Sequence, residues 1–154
     1  LAEDLKVLGF MKGDIGAAVE AGAHALFFQC GLGHMMGLDV HDMEDIGEHY
    51  VGYEEAGLER SRQFGLAYLR MARELKPGHV LTVEPGIYFI PALFAEWRKE
   101  KKHRDFIVYD AVEKFLDFGG VRIEDDVLVT EKGRKVLGPP IPKTVRDVEK
   151  ACRA

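Results

Sequence analysis

The sequence has only two cysteines, Cys30 and Cys152, too few for a disulfide framework, so packing must hold the fold together, as suits a reducing compartment. It has no uninterrupted apolar run near the ~18 residues that would span a membrane. Its opening residues, Leu1-Ala2-Glu3-Asp4-Leu5-Lys6, lack the basic-then-apolar order of a secretion signal. These absences predict a cytoplasmic protein without a membrane partner. No internal repeat and no linker-like stretch divides the 154 residues, so a single domain over 1–154 is expected. A net charge of -5 argues against nucleic acid as a partner.

The sharpest absence is local. From Gly13 to Glu59 there is no lysine or arginine, yet this stretch carries ten acids and four of the six histidines, His24, His34, His41 and His49. Two readings compete. The stretch is an acidic solvated face, as Glu54, Glu55 and Glu59 suggest, or it surrounds a cation, because a divalent metal takes neutral imidazole and carboxylate ligands and is repelled by nearby ammonium groups.

Along the chain, residues 14–28 read as an alanine-rich helix with Asp14 as N-cap. Residues 29–42 hold three closely spaced glycines, Gly31, Gly33 and Gly37, and read as loop. From Leu58 to Lys76 the period of Phe64, Ala67/Tyr68, Met71/Ala72 and Leu75 predicts a helix that packs on the core and stops at Pro77-Gly78, with its arginines on the outer face. Val80 to Glu84 reads as a strand broken by Pro85-Gly86, and Ile87 to Ile90 as a second short strand. Residues 91–117 read as charged helix, with Lys99, Lys101, Lys102 and Arg104 forming a small basic patch around His103. Gly119 to Thr130 reads as one strand, turning at Glu131-Lys132-Gly133 into another, and a last charged helix follows Pro139, Pro140 and Pro142. The order predicts a mixed α/β (α+β) domain with a largely antiparallel sheet covered by helices.

Alternation in a strand puts Thr82 and Glu84 on one face, and likewise Arg122 and Glu124. Both glutamates have apolar neighbours, and a buried carboxylate needs a charge partner or a cation. For Glu124 the plain alternative is a salt bridge to Arg122. Asp125 and Asp126 add to the acid run, which would repel without compensation. His34 and His41 sit seven residues apart on glycine-punctuated backbone and are expected to reach a common cavity. Spacing alone supports a His/Glu site for a divalent ion.

Three segments then carry a resemblance: Gly31-Leu32-Gly33-His34-Met35-Met36-Gly37-Leu38-Asp39-Val40-His41-Asp42, Thr82-Val83-Glu84-Pro85-Gly86-Ile87-Tyr88, and Gly120-Val121-Arg122-Ile123-Glu124-Asp125-Asp126-Val127-Leu128-Val129-Thr130. In this order they resemble the C-terminal signatures of the pita-bread metallopeptidases, in the Xaa-Pro aminopeptidase and prolidase branch, over about residues 13–138. The resemblance implies the C-terminal half of a pita-bread catalytic domain. It implies His34, Glu84 and Glu124 as metal ligands, with Glu124 bridging two divalent ions, commonly manganese, with zinc or cobalt as alternatives. It implies His41 and Arg122 as the pair that contacts substrate and orients the site, with Glu84 passing a proton to the leaving nitrogen. The implied substrate is a peptide with proline at its second position, hydrolysed by a hydroxide formed from a water that the two ions make acidic.

The family centre uses five protein ligands, two of them aspartates far upstream of the histidine signature. Asp4 and Asp14 lie too close to His34 to serve, so the chain is expected to be the second half of a catalytic domain. Alone it should bind at most one ion weakly, hydrolyse little or nothing, and self-associate or pair with the missing half. Cys30 stands where the family has a histidine four residues before the metal-binding one, and is expected to be a small buried hydrophobe rather than a ligand. The alternatives to hydrolysis are a metal-free peptide- or protein-binding module of the same fold and a creatinase-like activity without metal. The second gives no reason for both glutamates to sit on strands.

Overall fold

A computed structural model of the protein describes residues 1–54 and 57–153, so Glu55, from the acidic end of the cation-free stretch, lies outside the described residues. Among the described residues, five short helices and five strands appear in the order α1 (Ala2–Val7), α2 (Ile15–Glu20), α3 (Glu48–Gly52), β1 (Val80–Val83), β2 (Gly86–Tyr88), α4 (Pro91–Glu100), α5 (Tyr109–Val112), β3 (Gly120–Arg122), β4 (Asp125–Thr130) and β5 (Gly133–Val136). A sixth helix, α6 (Val145–Cys152), follows the prolines. All strand pairs are antiparallel: β1-β4-β5 form one sheet and β2-β3 another. Among the described residues no helix is long and apolar enough to cross a membrane.

The core gathers on one side of the strands. Phe27 on the approach to the glycine loop, Leu5 of α1, Ala18 of α2, Trp97 of α4 and Val112 of α5 are buried together with Phe10, Phe89 and Ile107. Phe10 meets Phe89 and Phe115 edge to face at ring separations of 5.5 and 4.9 Å, and Phe27 meets Phe89 at 6.0 Å. Such pairs contribute about 0.5–1.5 kcal/mol each beyond area burial. This aromatic knot ties the N-terminal helices to the strand pair: the Tyr88 N–H donates to the Phe27 carbonyl at 2.8 Å, and the Phe89 N–H to that of Gly119 at 2.7 Å. The glycine loop is thereby anchored at its start.

Three expectations change. The helix over 14–28 is two pieces, α2 capped by Asp14, whose carboxylate accepts from the Ala17 N–H at 2.8 Å, and a 3-10 turn at Ala23–Leu26 after Gly22 in the left-handed region. The helix over 91–117 is likewise broken where Lys101 ends α4 at φ 54. The third change is larger. Residues 58–76 form turns and irregular backbone instead of a helix, and most of the apolar stripe stays out of the core, with Tyr68 82% exposed. Gly65 takes φ +84, where a side chain would collide with Ala25 at 2.6 Å, so the chain turns against the core instead of coiling.

Tertiary ion pairs replace the helical bonds. The carboxylate of Glu48 in α3 accepts from Arg60 and Arg70, each at 2.6 Å, and the Tyr53 hydroxyl donates to the Leu69 carbonyl at 2.6 Å. Burial works against the Glu48 charge, but the two guanidinium hydrogen bonds outweigh it and hold the carboxyl below its ordinary value.

The glycine loop is also more ordered than its composition suggests. The Thr82 and Glu84 N–H groups donate to the His34 and Leu32 carbonyls at 3.0 and 2.7 Å, and the Met36 N–H donates to that of Val80 at 3.1 Å. Residues 32–36 thus run antiparallel along the free side of β1. Gly33 permits this approach: a Cβ there would lie 1.9 Å from the Thr82 carbonyl oxygen.

Two outcomes follow. Gly33→Ala must push this segment off β1, and is expected to cost about 1–3 kcal/mol in denaturant unfolding. Glu48→Gln is expected to cost about 1–2 kcal/mol near neutrality. Because the folded carboxyl is depressed, that stabilisation is complete above the ordinary value of 4.5 and is lost as the pH falls through the folded one. The melting temperatures of wild type and Glu48→Gln should therefore converge in acid.

Candidate metal centre

The site forms where the strand pair breaks. Val83 pairs with Asp125 at the end of one sheet and Gly86 with Arg122 at the start of the other, in one continuous register. Glu84 and Glu124 therefore occupy facing positions across the gap. The gap has a cause: Pro85 has no N–H to donate, although its carbonyl still accepts from the Ile123 N–H at 3.1 Å. This also splits the expected strand over 119–130 into β3 and β4. Two like charges directly opposite are destabilising unless something positive lies between or beside them.

Part of the compensation is protein. Glu84 is buried and Glu124 exposed. The Glu84 carboxylate accepts from the Thr82 hydroxyl at 2.9 Å, as the shared strand face predicts, while that hydroxyl oxygen accepts from the His34 N–H at 3.0 Å. Arg122 pairs with Glu84 at 2.8 Å. The salt bridge weighed from the strand pattern, Arg122 to Glu124, is not the one formed: Arg122 reaches across the strand pair to Glu84 instead. The Tyr88 hydroxyl at 2.7 Å and the Cys30 sulfur at 3.4 Å complete the surroundings of Arg122. Partial burial opposes its charge, but these groups and Glu84 keep it even more firmly protonated than usual. Asp125, another member of the acid run, is answered from outside by Lys143 at 2.8 Å.

His34 contributes a lone pair rather than a charge. The Nδ1 of His34 lies 3.0 Å from the Met35 carbonyl, which can only accept, so Nδ1 carries the proton. In the neutral ring Nε2 is then a bare lone pair, and it faces the Glu84 carboxylate at 3.2 Å. Two acceptors at that separation require a proton or a cation between them. One ligand atom each from His34, Glu84 and Glu124 lies within 4.8 Å of the others. A backbone-anchored imidazole beside carboxylates is a donor set suited to a borderline or hard divalent ion. The residues thus fit a metal by their own hydrogen bonding.

His41 joins this group from the loop, its ring perpendicular to that of His34 at 4.4 Å, so the common cavity expected for the two histidines is present. The cavity measures about 260 Å³ and is walled by His34, His41, Glu84, Arg122, Tyr68 and Arg70. A second hollow of about 630 Å³, lined by Tyr88, Ile90 and Val121, shares Cys30 and Arg122 with it. Cys30 is half-buried at that junction rather than packed as a core hydrophobe.

Sequence reasoning missed Glu44, Tyr68 and Arg70. The Glu44 carboxylate bonds His41 Nδ1 at 2.7 Å and also the Arg70 guanidinium. The hydrogen bond from His41, then that from Arg70, lowers the Glu44 carboxyl below its ordinary range. Arg70 was assigned to the outer face of a helix that does not form. Only the placement of Glu44 three residues after His41 offered a local signal.

Comparison with known proteins identifies the family. Residues 2–131 match the description "Metallopeptidase family M24". The chain is 45% identical over 152 residues to the Xaa-Pro dipeptidase of Homo sapiens, covering 99% of this chain and 29% of that protein. It is 40% identical to a probable Xaa-Pro aminopeptidase of Botryotinia fuckeliana, covering 96% of this chain and 30% of that one. Among solved structures, Escherichia coli aminopeptidase P with the inhibitor Pro-Leu superposes with a TM-score of 0.62 at 32% identity, over 99% of this chain and 27% of that chain. The zinc-substituted form of the same enzyme with product gives 0.61 at 32%, over 97% and 25%. The chain therefore spans under a third of the length of these relatives. Its mixed, antiparallel architecture is that of the pita-bread fold of the aminopeptidase P structures. By sequence and by fold, the chain belongs to metallopeptidase family M24.

Proposed function

We propose that this chain supplies one wall of the active site of a metal-dependent exopeptidase that cleaves Xaa-Pro bonds. The observation that carries the reading is the convergence of His34, Glu84 and Glu124 within 4.8 Å, with the bare Nε2 of His34 turned to a carboxylate. These three residues would hold the metal, two divalent ions in the whole enzyme and manganese before zinc or cobalt. When bound, such ions polarise a carbonyl and make water acidic enough to attack near neutrality.

The chain's own residues would do the rest. Glu84, fixed by Thr82 and Arg122, is placed to carry a proton on a carboxylate oxygen to the departing nitrogen, which must be protonated to leave. His41 lines the cavity and can hydrogen-bond the oxygen on which negative charge develops. Arg122 orients Glu84 and closes the wall toward Tyr88. A bond to proline calls for a pocket shaped to its ring, since the imide nitrogen offers no N–H and φ is locked. The hollow lined by Tyr88, Ile90 and Val121 offers an apolar surface beside the site, sharing Cys30 and Arg122 with its cavity. Two cysteines, too few for a disulfide framework, support a cytoplasmic location.

The ligand set within this chain is incomplete, because two aspartates of the family centre have no counterpart in it. Titration with manganese, followed by calorimetry, should show at most one weak site, and Glu84→Gln should weaken it by about tenfold or more. No binding at saturating manganese would instead favour a metal-free binding module.

The purified 154-residue chain is expected to show little or no release of proline from Xaa-Pro peptides, and robust turnover by it would overturn the proposal of an incomplete centre. Val121 of β3 and Val136 of β5 are exposed by 53% and 42%, which supports self-association or pairing with the missing half. A monodisperse monomer in light scattering would count against that.

A further inference from the structure

His41 is held from behind by a line of alternating charges. Its Nδ1 lies 2.7 Å from the Glu44 carboxylate, whose other oxygen takes the Arg70 guanidinium. Arg70 also donates to Glu48 at 2.6 Å, and Glu48 to Arg60 is again 2.6 Å. The line Arg60, Glu48, Arg70, Glu44, His41 thus runs from the non-helical segment 58–76 to the cavity wall. Both arginines come from the stretch that the helical period assigned elsewhere, and both land on acids of the cation-free stretch.

The chemistry at its inner end is directional. A carboxylate bonded to Arg70 stays ionised and can only accept, so His41 must present Nδ1–H to it. A neutral imidazole with its proton on Nδ1 has Nε2 free, and His41 is a wall of the cavity shared with His34 and Glu84. We propose that Glu44 is a positioning residue: its carboxylate, tethered by Arg70, locks His41 in the Nδ1–H form and turns Nε2 into the nitrogen that works on substrate. To donate to an oxygen of substrate, the ring would need a second proton, on Nε2, and the Glu44 carboxylate at Nδ1 is the group beside it that would balance that charge. This rests on the metallopeptidase reading only for the word substrate. The tautomer itself is independent of metal and of turnover.

Nitrogen-15 NMR of the histidine rings tests it on the chain as it stands, at about pH 9, well above the ordinary imidazole value of about 6.5. Wild type should show His41 with a protonated Nδ1 and a bare Nε2. Glu44→Ala should lose that preference and give the mixture of tautomers of an unrestrained imidazole. His34, whose Nδ1 is held by the Met35 carbonyl, should keep its own signature in both proteins and so reports that the loop is still folded. A wild-type His41 protonated on Nε2 overturns the proposal without any variant, and so does an unchanged Nδ1–H form in a folded Glu44→Ala. Failure of manganese binding with the tautomer intact would sink the metal reading and leave Glu44 in its role.

Discussion

Two glutamates facing each other across an antiparallel strand pair are the constraint on which the rest of the structure depends. Glu84 and Glu124 share one register position on either side of the gap at Pro85, where the ladder lacks a donor. Such a pair repels unless it is compensated, and the surrounding residues are arranged around that need. Arg122 takes one oxygen of Glu84, Thr82 the other, and His34 adds a lone pair instead of a positive charge. A protein that only needed to neutralise two carboxylates would place a lysine there. Adding a third acceptor makes sense when the positive charge is to come from outside.

That arrangement explains why the glycine loop must lie along β1 and not merely near it. His34 is useful only if its backbone is fixed to the strand that carries Glu84, and the hydrogen bonds from Thr82 and Glu84 to the loop carbonyls fix it. Gly33 allows the close contact and the aromatic knot of Phe10, Phe27 and Phe89 anchors the loop at its start. The stretch free of lysine and arginine is one wall of this site, and the arginines that enter it, Arg60 and Arg70, arrive from later in the chain and stop on Glu44 and Glu48. Glu44 and Glu48 are in that sense neither a plain solvated face nor ligands, but a scaffold for His41.

Much of the site could be read in the sequence because its residues sit in local patterns with steric meaning. The period of two put Thr82 and Glu84 on one face, and their side chains do bond. Pro85-Gly86 marked the strand break, Asp14 marked a helix start, and the three motif segments named the residues that converge. The misses have a common physical origin. The stripe from Phe64 to Leu75 has the helical period, but helices in proteins are stabilised chiefly by burying such a face, and here Gly65 against Ala25 and the pull of Glu48 on Arg60 and Arg70 outweigh it. Arg122 likewise had two acids within reach, and only the geometry of the break selects Glu84.

The sequence by itself determined the strand and turn order, the donor types and their family, since these depend on side-chain chemistry, on proline and glycine backbone limits and on short-range spacing. Tertiary structure alone decided which charges meet. The coupling of His41 to Glu44, Arg70, Glu48 and Arg60, and of Arg122 to Glu84 in place of Glu124, spans separations from three to 38 residues. Ion pairing is weakly directional and every acid in the stretch was a candidate partner, so the choice among them rests on where the folded backbone places each one.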